Sequence, residues 1–265
     1  MAKLTRLQRK QHLAAVEILK KDALTEDEKE FVFNHWHEGA QSMNGEAGAF
    51  FTPLEMAYEF AYDCGGDSED QRTYIDLCAG IGVLAYALKV RYPQSARMVC
   101  IEVNPEYVEV GKKLVPEAEW YCLDVMDNDA LISLGHFHTA VSNPPFGLVS
   151  SMRGQKASCY SGAEGEYKVI SQGGLVADSG TFILPQQSAG FRYSGANYYE
   201  RDESSKYKKF SNQTGLSIDA GMGFDTTAEG MGNFKDVSLV VEFGHVDYDD
   251  YEIVEKVGTL DLFAA

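Results

Sequence analysis

The sequence lacks three features that would each indicate a particular class of protein. No apolar run approaches the roughly 20 residues needed to cross a bilayer, and no apolar stretch follows the charged N-terminus as it would in a secretory signal. The five cysteines are scattered, without a Cys-x-x-Cys pair, so neither a zinc site nor a disulfide framework is indicated. We expect a cytoplasmic, reduced protein without a metal site or membrane contact, with Cys78, Cys100 and Cys122 buried in apolar runs.

Positive charge is also scarce, with 23 Lys and Arg against 40 Asp and Glu and a net charge of -17. Because phosphates are bound mainly by Lys and Arg, any nucleic-acid surface on this chain must be local. One candidate is segment 190–215, in which basic residues alternate with tyrosines that could stack on bases. A surface loop with snorkelling side chains would give the same pattern. The candidate contacts are Arg192, Tyr193, Tyr198, Tyr199, Arg201, Lys206 and Lys208.

Short apolar runs alternate with helical segments from about residue 74 onward. Repeated strand–helix units with short loops predict an α/β fold with a doubly wound, mostly parallel sheet, for which we expect seven strands. A capping box at Thr25 and Glu28 marks one of two helices in an N-terminal helical extension, residues 1–44. Residues 45–265 then form the main domain. Strands are expected at 74–77, 98–102, 120–123, 137–142, 180–184 and 237–243.

Acidic and small residues follow three consecutive predicted strands. Asp76 begins a turn with Gly80 and Gly82 before a helix, where backbone can approach a ligand closely, and an acid there favours a positive amino group over a phosphate. Glu102 ends the next strand, about 20 residues after Gly82, where a carboxylate can bind ribose hydroxyls. Asp124 ends the third strand and suits an adenine amino group. Right-handed crossovers place these strand ends along one edge of the sheet.

A proline-stiffened turn, Asn143-Pro144-Pro145-Phe146, ends the fourth predicted strand. Its two prolines fix two φ angles and remove two backbone donors, so the strand cannot continue. The turn therefore holds an amide, backbone carbonyls and an aromatic face in one arrangement, which suits a planar amino-bearing group. An ordinary turn that closes a strand is the alternative interpretation.

A second stretch of interest, residues 45–53, precedes the first strand. Thr52 lies before Pro53, and we predict that it caps a helix extending to about residue 62. The same stretch can also be interpreted as a lid in which Thr52 binds a carboxylate and Phe51 covers a ligand.

In this order the motifs resemble those of class I S-adenosylmethionine-dependent amino-methyltransferases with an Asn-Pro-Pro-aromatic motif. Residues 48–53 resemble a motif of the DNA N6-adenine methyltransferases of type I and related restriction–modification systems. The resemblance covers about residues 45–185 and implies a Rossmann-like fold, S-adenosylmethionine as cofactor and DNA as substrate. It implies these cofactor contacts: Phe51, Thr52, Asp76, Cys78, Ala79, Gly80, Gly82, Glu102, Val103, Asp124, Val125 and Asn143.

The same resemblance implies a catalytic role for the proline turn. The Asn143 side-chain oxygen and the Pro144 carbonyl would accept the hydrogens of the adenine exocyclic amine, and Phe146 would stack on the flipped base. Pro145 completes the motif.

The substrate and partners stay open at this point. The Asn-Pro-Pro-Phe motif also occurs in RNA adenine or guanine amino-methyltransferases and, as a close variant, in protein glutamine methyltransferases. No separate target-recognition domain is evident, so recognition would use loops 150–165 and 190–215, a homodimer or a specificity partner. An inactive, acidic binding subunit is a further interpretation, supported by the net charge.

Overall fold

The computed structural model describes residues 4–37, 50–65, 71–150, 152–229, 231, 234 and 239–248. Within these ranges the helices are α1 (Arg6–Ile18), α2 (Glu26–His35), α3 (Leu54–Asp63), α4 (Val83–Arg91), α5 (Pro105–Leu114), α6 (Asn128–Ser133), α7 (Gly165–Gly173), α8 (Gln186–Ala189) and α9 (Ser205–Thr214). The strands are β1 (Thr73–Asp76), β2 (Arg97–Glu102), β3 (Glu119–Cys122), β4 (Phe137–Ser142), β5 (Ala177–Pro185), β6 (Phe191–Arg192), β7 (Glu200–Arg201) and β8 (Val241–Asp247).

Six of these strands form one sheet in the order β3-β2-β1-β4-β5-β8. The first five are parallel, and β8 runs antiparallel to β5. Strands β2 and β3 lie on one side of β1, and β4 lies on its other side. The strand order therefore reverses between β1 and β4, which is the switch point of the sheet. The predicted doubly wound, mostly parallel α/β fold is confirmed. The described residues supply six strands to this sheet, not the predicted seven.

Both faces of the sheet are covered. Alternate residues of β1 enter different apolar clusters, with Tyr74 in one and Ile75 in the other, as expected when successive side chains of a strand point to opposite faces. The first cluster contains residues of α2, α3 and α4, and the second contains residues of α7 and α9. This two-sided burial explains why the central strands β1 and β2 are buried over most of their length.

The N-terminal helices pack on the first of these clusters. Thr5 and Thr25 each form a capping box with the glutamine or glutamate three residues later, as predicted for Thr25. Trp36, at the end of α2, lies with its ring centroid 5.7 Å from that of Phe51 and 5.6 Å from that of Tyr107. The extension therefore supports the wall of the cavity described below. Residues 38–49, which include the start of the predicted lid, lie outside the described residues.

Three local predictions were wrong. Thr52 does not cap α3, because the cap position falls on Pro53 and no side chain accepts a hydrogen bond there. Cys122 is exposed, because β3 lies at the edge of the sheet. The last strand was predicted too early in the sequence, at 237–243. In the structure β8 pairs with β5 from Val241 to Asp247, so the strand extends beyond the end of the apolar run. Residues 237–238 of the predicted strand lie outside the described residues.

Candidate active site

A cavity of about 600 Å³ opens at the carboxyl ends of β1, β2, β3 and β4. All the predicted cofactor contacts line it except Gly82. The sheet explains this convergence, because the turns that follow parallel strands meet at one edge. Five acidic or amide residues line the wall: Asp76, Glu102, Asn104, Asp124 and Asn143.

The two glycines after β1 serve different purposes. Gly80 and Gly82 have φ angles of +56° and +91°, a backbone region that other residues rarely adopt. A Cβ on Gly80 would stand 3.0 Å from the Phe51 ring on the cavity wall. A Cβ on Gly82 would stand 2.8 Å from the Trp120 ring, so Gly82 is required for packing behind the cavity.

Asp76 is the most deeply buried acid of the site. One of its oxygens, Oδ1, accepts a hydrogen bond from the Cys78 amide at 3.4 Å, whereas Oδ2 has no partner among the described residues. Burial raises the pKa of Asp76 to about 8, and the nearby charge of Glu102 adds to this effect. A buried carboxylate oxygen without a donor beside an open cavity fits a cationic ligand group, such as the ammonium of S-adenosylmethionine.

Glu102 is held by backbone donors on both oxygens. Oε2 accepts from the Gly80 amide at 2.9 Å and Oε1 from the Asn104 amide at 2.8 Å. Burial raises the pKa of Glu102, and these two donors oppose the rise. Each carboxylate oxygen has a second lone pair, so this fixed side chain can still accept hydrogen bonds from a ribose.

Asp124 is fixed from two directions. Its Oδ1 accepts from the Met126 amide at 3.0 Å, and its Oδ2 accepts from Nε2 of Gln155 at 3.2 Å. The side-chain oxygen of Gln155 is buried and has no partner among the described residues. Gln155 does not itself line the cavity, and no sequence motif marked it as a partner of Asp124.

The Asn143 side chain has one orientation that satisfies its neighbours. Its Nδ2 donates to the Phe50 carbonyl at 2.6 Å and to the Thr52 hydroxyl oxygen at 3.0 Å. A carbonyl can only accept, so the amide nitrogen must face Phe50 and the amide oxygen must face away. That oxygen is buried and has no partner among the described residues. It is the acceptor that amino-group chemistry requires.

Of the other three residues of the proline turn, one lines the cavity. Pro145 lines it, whereas Pro144 and Phe146 do not. Phe146 is half-buried and packs against the first apolar cluster. Stacking of Phe146 on a substrate therefore stays a prediction.

Helix α7 holds the proline turn in place. All its residues are buried, including the charged residues Glu166 and Lys168. Glu166 accepts from the Gly147 amide through Oε2 at 2.7 Å and from the Ser188 hydroxyl through Oε1 at 2.8 Å. The backbone that leaves the proline turn is therefore fixed by a buried carboxylate.

The same helix also contacts the part of the cavity wall around Val125 and Met152. Lys168 donates to the carbonyls of Met152 and Gln155 at 2.6 and 2.8 Å. Gln172 donates to the Val125 carbonyl at 2.8 Å. Burial lowers the pKa of Lys168. The buried polar side chains of α7 thus connect the turn after β4 with the wall around Asp124.

The tyrosine-rich segment differs from its prediction as a basic loop. It contains the short β6–β7 hairpin and helix α9. Arg192 pairs with Glu200 across the hairpin, and Arg201 pairs with Glu203, so acidic neighbours neutralise both arginines. None of its residues lines the cavity.

The other predicted contacts of this segment are mostly on the surface. Tyr198, Tyr199, Lys206 and Lys208 are exposed, and Tyr193 is half-buried. They form no ion pair among the described residues. Their role as nucleic-acid contacts stays a prediction.

Two features are absent from the described part of the chain. No helix there is both long and apolar enough to cross a membrane. No group of three His, Cys, Asp or Glu side chains there could hold a metal ion.

Residues 67–156, which contain most of the cavity, match the family model of the methyltransferase small domain. No curated protein matches the chain. The match ends shortly after the proline turn, so it covers the acidic strand ends and Asn143 together.

Solved structures share the fold at low sequence identity. A type I restriction–modification methyltransferase subunit from Streptococcus thermophilus has a TM-score of 0.55 and 15% identity over 86% of this chain and 51% of its own. This chain thus spans about half of that subunit. A protein from Listeria monocytogenes described as a class I S-adenosylmethionine-dependent methyltransferase has a TM-score of 0.55 and 11% identity, covering 88% of this chain and 71% of its own. A protein from Pyrococcus horikoshii described as an RNA methyltransferase has a TM-score of 0.48 and 16% identity, covering 90% and 97%.

These findings confirm the predicted cofactor and the coarse activity. The fold is that of class I methyltransferases, the matched segment is similar to the methyltransferase small domain, and the cavity is lined by carboxylate and amide acceptors. Residues 67–156 are thus similar to a methyltransferase domain, on a fold that the chain shares with class I methyltransferases.

Proposed function

We propose that the chain methylates the exocyclic N6 amine of adenine in DNA, after the base leaves the helix and enters the cavity beside Asn143. The observation that carries this proposal is the Asn143 amide oxygen, which is buried, has no partner among the described residues and lies at the cavity wall. An amide fixed in this way selects a substrate that brings a hydrogen-bond donor.

The chemistry needs an acceptor at this place. The lone pair of an adenine amine is delocalised into the ring, so the amine is a poor nucleophile. The amine would donate one hydrogen bond to the Asn143 side-chain oxygen and a second to the Pro144 carbonyl. These two bonds would move the nitrogen toward tetrahedral geometry and make its lone pair available. Bound S-adenosylmethionine supplies the electrophilic methyl group on its sulfonium. The nitrogen gains the methyl carbon as the carbon–sulfur bond breaks, and the extra amine proton leaves to water.

The side chains of the cavity would position both reactants. Asp76 would bind the cofactor ammonium, Glu102 the ribose and Asp124 the adenine amino group. A fixed Asn143 would align the substrate amine, and such alignment supplies much of the rate in reactions between two bound groups.

Two arguments favour adenine in DNA. The Phe-Phe-Thr-Pro stretch that resembles DNA N6-adenine methyltransferases contributes the two acceptors that orient Asn143, Phe50 and Thr52. The two motifs that carry the resemblance are thus in direct contact. The fold is also shared with a restriction–modification methyltransferase subunit. A homodimer or a specificity partner for DNA recognition is part of this proposal.

The test is methyl transfer from S-adenosylmethionine with a deuterated methyl group to duplex DNA, single-stranded DNA, RNA and a protein extract. The products are digested to nucleosides and amino acids and analysed by mass spectrometry. We expect deuterated N6-methyladenine in DNA. The Asn143→Ala variant should lose at least about 100-fold in rate while it still binds S-adenosylhomocysteine, and the control Asn34→Ala, at an exposed position of α2, should be fully active.

Other outcomes would contradict the proposal in distinct ways. Methyladenine or methylguanine only in RNA would assign an RNA substrate, and methylglutamine would assign a protein. Tight binding of S-adenosylhomocysteine without any transfer would indicate an inactive binding subunit.

A further inference from the structure

Leu148 is an exposed apolar side chain next in sequence to Val149, which lines the cavity. It is 78% exposed, more than any other large apolar residue among those described. Val149, the next residue, and Pro145, three residues earlier, both line the cavity. The position of Leu148 in the chain therefore places an apolar tip beside the entrance to the site.

The backbone around Leu148 is held firmly. Leu148 forms an isolated antiparallel bridge with Glu164. The preceding Gly147 donates to Glu166 at 2.7 Å and accepts from the Gly165 amide at 2.8 Å. The exposed leucine is thus supported by a buried carboxylate and by the start of α7, and it does not sit on a loop without contacts.

The chain from residue 147 to residue 163 contains no Asp or Glu, and its only charged residues are Arg153 and Lys156. Both are exposed and form no ion pair among the described residues. This is unusual in a chain with a net charge of -17. It also contrasts with Arg192 and Arg201, whose charges are neutralised by adjacent glutamates.

The two cations lie on a turn that forms part of the cavity wall. The Arg153 amide donates to the Ser150 carbonyl at 3.2 Å, and Ser150 and Met152 line the cavity. Lys168 holds the carbonyls of Met152 and Gln155, and Lys156 follows directly. Both cations are therefore within four residues of a residue that lines the cavity, on the same segment as Leu148.

We infer that Leu148, Arg153 and Lys156 form the surface that receives duplex DNA, with Leu148 filling the gap that the flipped adenine leaves in the base stack and the two cations contacting phosphates. This inference rests on the proposed function and deepens it. Apolar side chains inserted between bases stabilise an unstacked duplex. Phosphate contacts made by Lys and Arg supply affinity that depends on salt.

The first test separates insertion of Leu148 from a general defect. The kcat/KM of Leu148→Ala is measured on a duplex with a paired target adenine and on the same duplex with an abasic site opposite that adenine. We expect a loss of about 10-fold on the paired target and less than about 2-fold on the unpaired one, because the second substrate flips at less cost. Leu7→Ala, at an exposed leucine of α1, is the matched control. An equal loss on both substrates, or no loss, would overturn the role of Leu148.

The second test measures binding and does not need catalysis. Affinity for an unmodified duplex is measured at several salt concentrations with S-adenosylhomocysteine present. Arg153→Gln and Lys156→Gln should each reduce the slope of log affinity against log salt by about 1, whereas Lys112→Gln, at an exposed lysine that pairs with Glu109, should leave it unchanged. Unchanged slopes for both variants, or binding of single strands alone, would overturn the inference. A wild-type chain that binds duplex DNA with these slopes but transfers no methyl group would overturn the proposed function alone.

Discussion

The carbonyl oxygen of Phe50 accepts a hydrogen bond from the side-chain amide of Asn143 at 2.6 Å, across 93 residues of sequence. This contact decides which atom of the amide faces the substrate. It also links the segment before α3 to the turn after β4. The orientation of the proposed catalytic group therefore depends on a stretch of chain outside the sheet.

The Thr52 hydroxyl is the second acceptor for Asn143, at 3.0 Å. Thr52→Val keeps the shape of the side chain and removes this acceptor. We expect the rate of methyl transfer to fall about 10-fold and the free energy of unfolding to fall by about 1 kcal/mol. Steady-state kinetics and chemical denaturation measure the two effects. Thr52→Ser should restore both, and Thr139→Val, at a buried threonine of β4, is the control. Full activity of Thr52→Val would show that Phe50 alone orients Asn143.

The raised pKa of Asp76, about 8, predicts that cofactor binding depends on pH. Without ligand, Asp76 is mostly protonated at pH 6 and becomes ionised as the pH rises through 8. A ligand ammonium favours the ionised carboxylate, so binding should release a proton, and affinity should rise between pH 6 and 8 by up to about tenfold per unit.

Calorimetry with S-adenosylhomocysteine in two buffers of different ionisation enthalpy measures the released proton. Asp76→Asn should bind more weakly and show no such pH dependence. Asp27→Asn, on α2, should behave like the wild type. Binding by the wild type without proton release would mean that Asp76 does not meet the ammonium.

Lys168 holds two backbone carbonyls of the cavity wall, so its removal should affect the cofactor more than the fold. In Lys168→Met both carbonyls lose their donor, and we expect S-adenosylhomocysteine to bind about 10-fold more weakly, with a loss of about 1–3 kcal/mol in the free energy of unfolding. Calorimetry and denaturation measure these changes. The control is Lys112→Met on α5, where the side chain is exposed and pairs with Glu109. An unchanged affinity would show that the wall holds its shape without Lys168.

Gly111 of α5 has no room for a side chain. An ideal Cβ there would stand 2.1 Å from the Trp120 ring, so Gly111→Ala should destabilise the protein by about 1–3 kcal/mol through overpacking, although alanine favours helices. Thermal denaturation measures the loss. Combining Gly111→Ala with Trp120→Leu should cost less than the sum of the two single changes. Additive losses would contradict the proposed contact.

Local patterns in the sequence were sufficient to predict the central part of the fold. Strands such as β1 and β4 are short apolar runs bounded by turn residues, and this signal does not depend on distant contacts. The glycine turn after β1 and the proline turn after β4 restrict the backbone by their own chemistry. Because parallel strand ends share one edge, the acids at these ends could also be expected to converge.

Other parts of the site depend on contacts that no local pattern reveals. Thr52 looked like a helix cap, and only its contact with Asn143, across 91 residues, shows its use. Arg192 looked like a free cation, and the register of the β6–β7 hairpin pairs it with Glu200. The carboxylate of Glu166 lies in a helix whose burial is set by tertiary packing, so its contact with the turn after β4 could not be read in advance.

Helix α7 has a consequence for protein engineering. Its side chains hold the backbone after Asn-Pro-Pro-Phe through Glu166 and the wall of the cavity through Lys168 and Gln172. A tetrapeptide grafted alone onto another scaffold would lack these supports and would lose its geometry. The smallest transplantable unit therefore extends from the proline turn through the end of this helix.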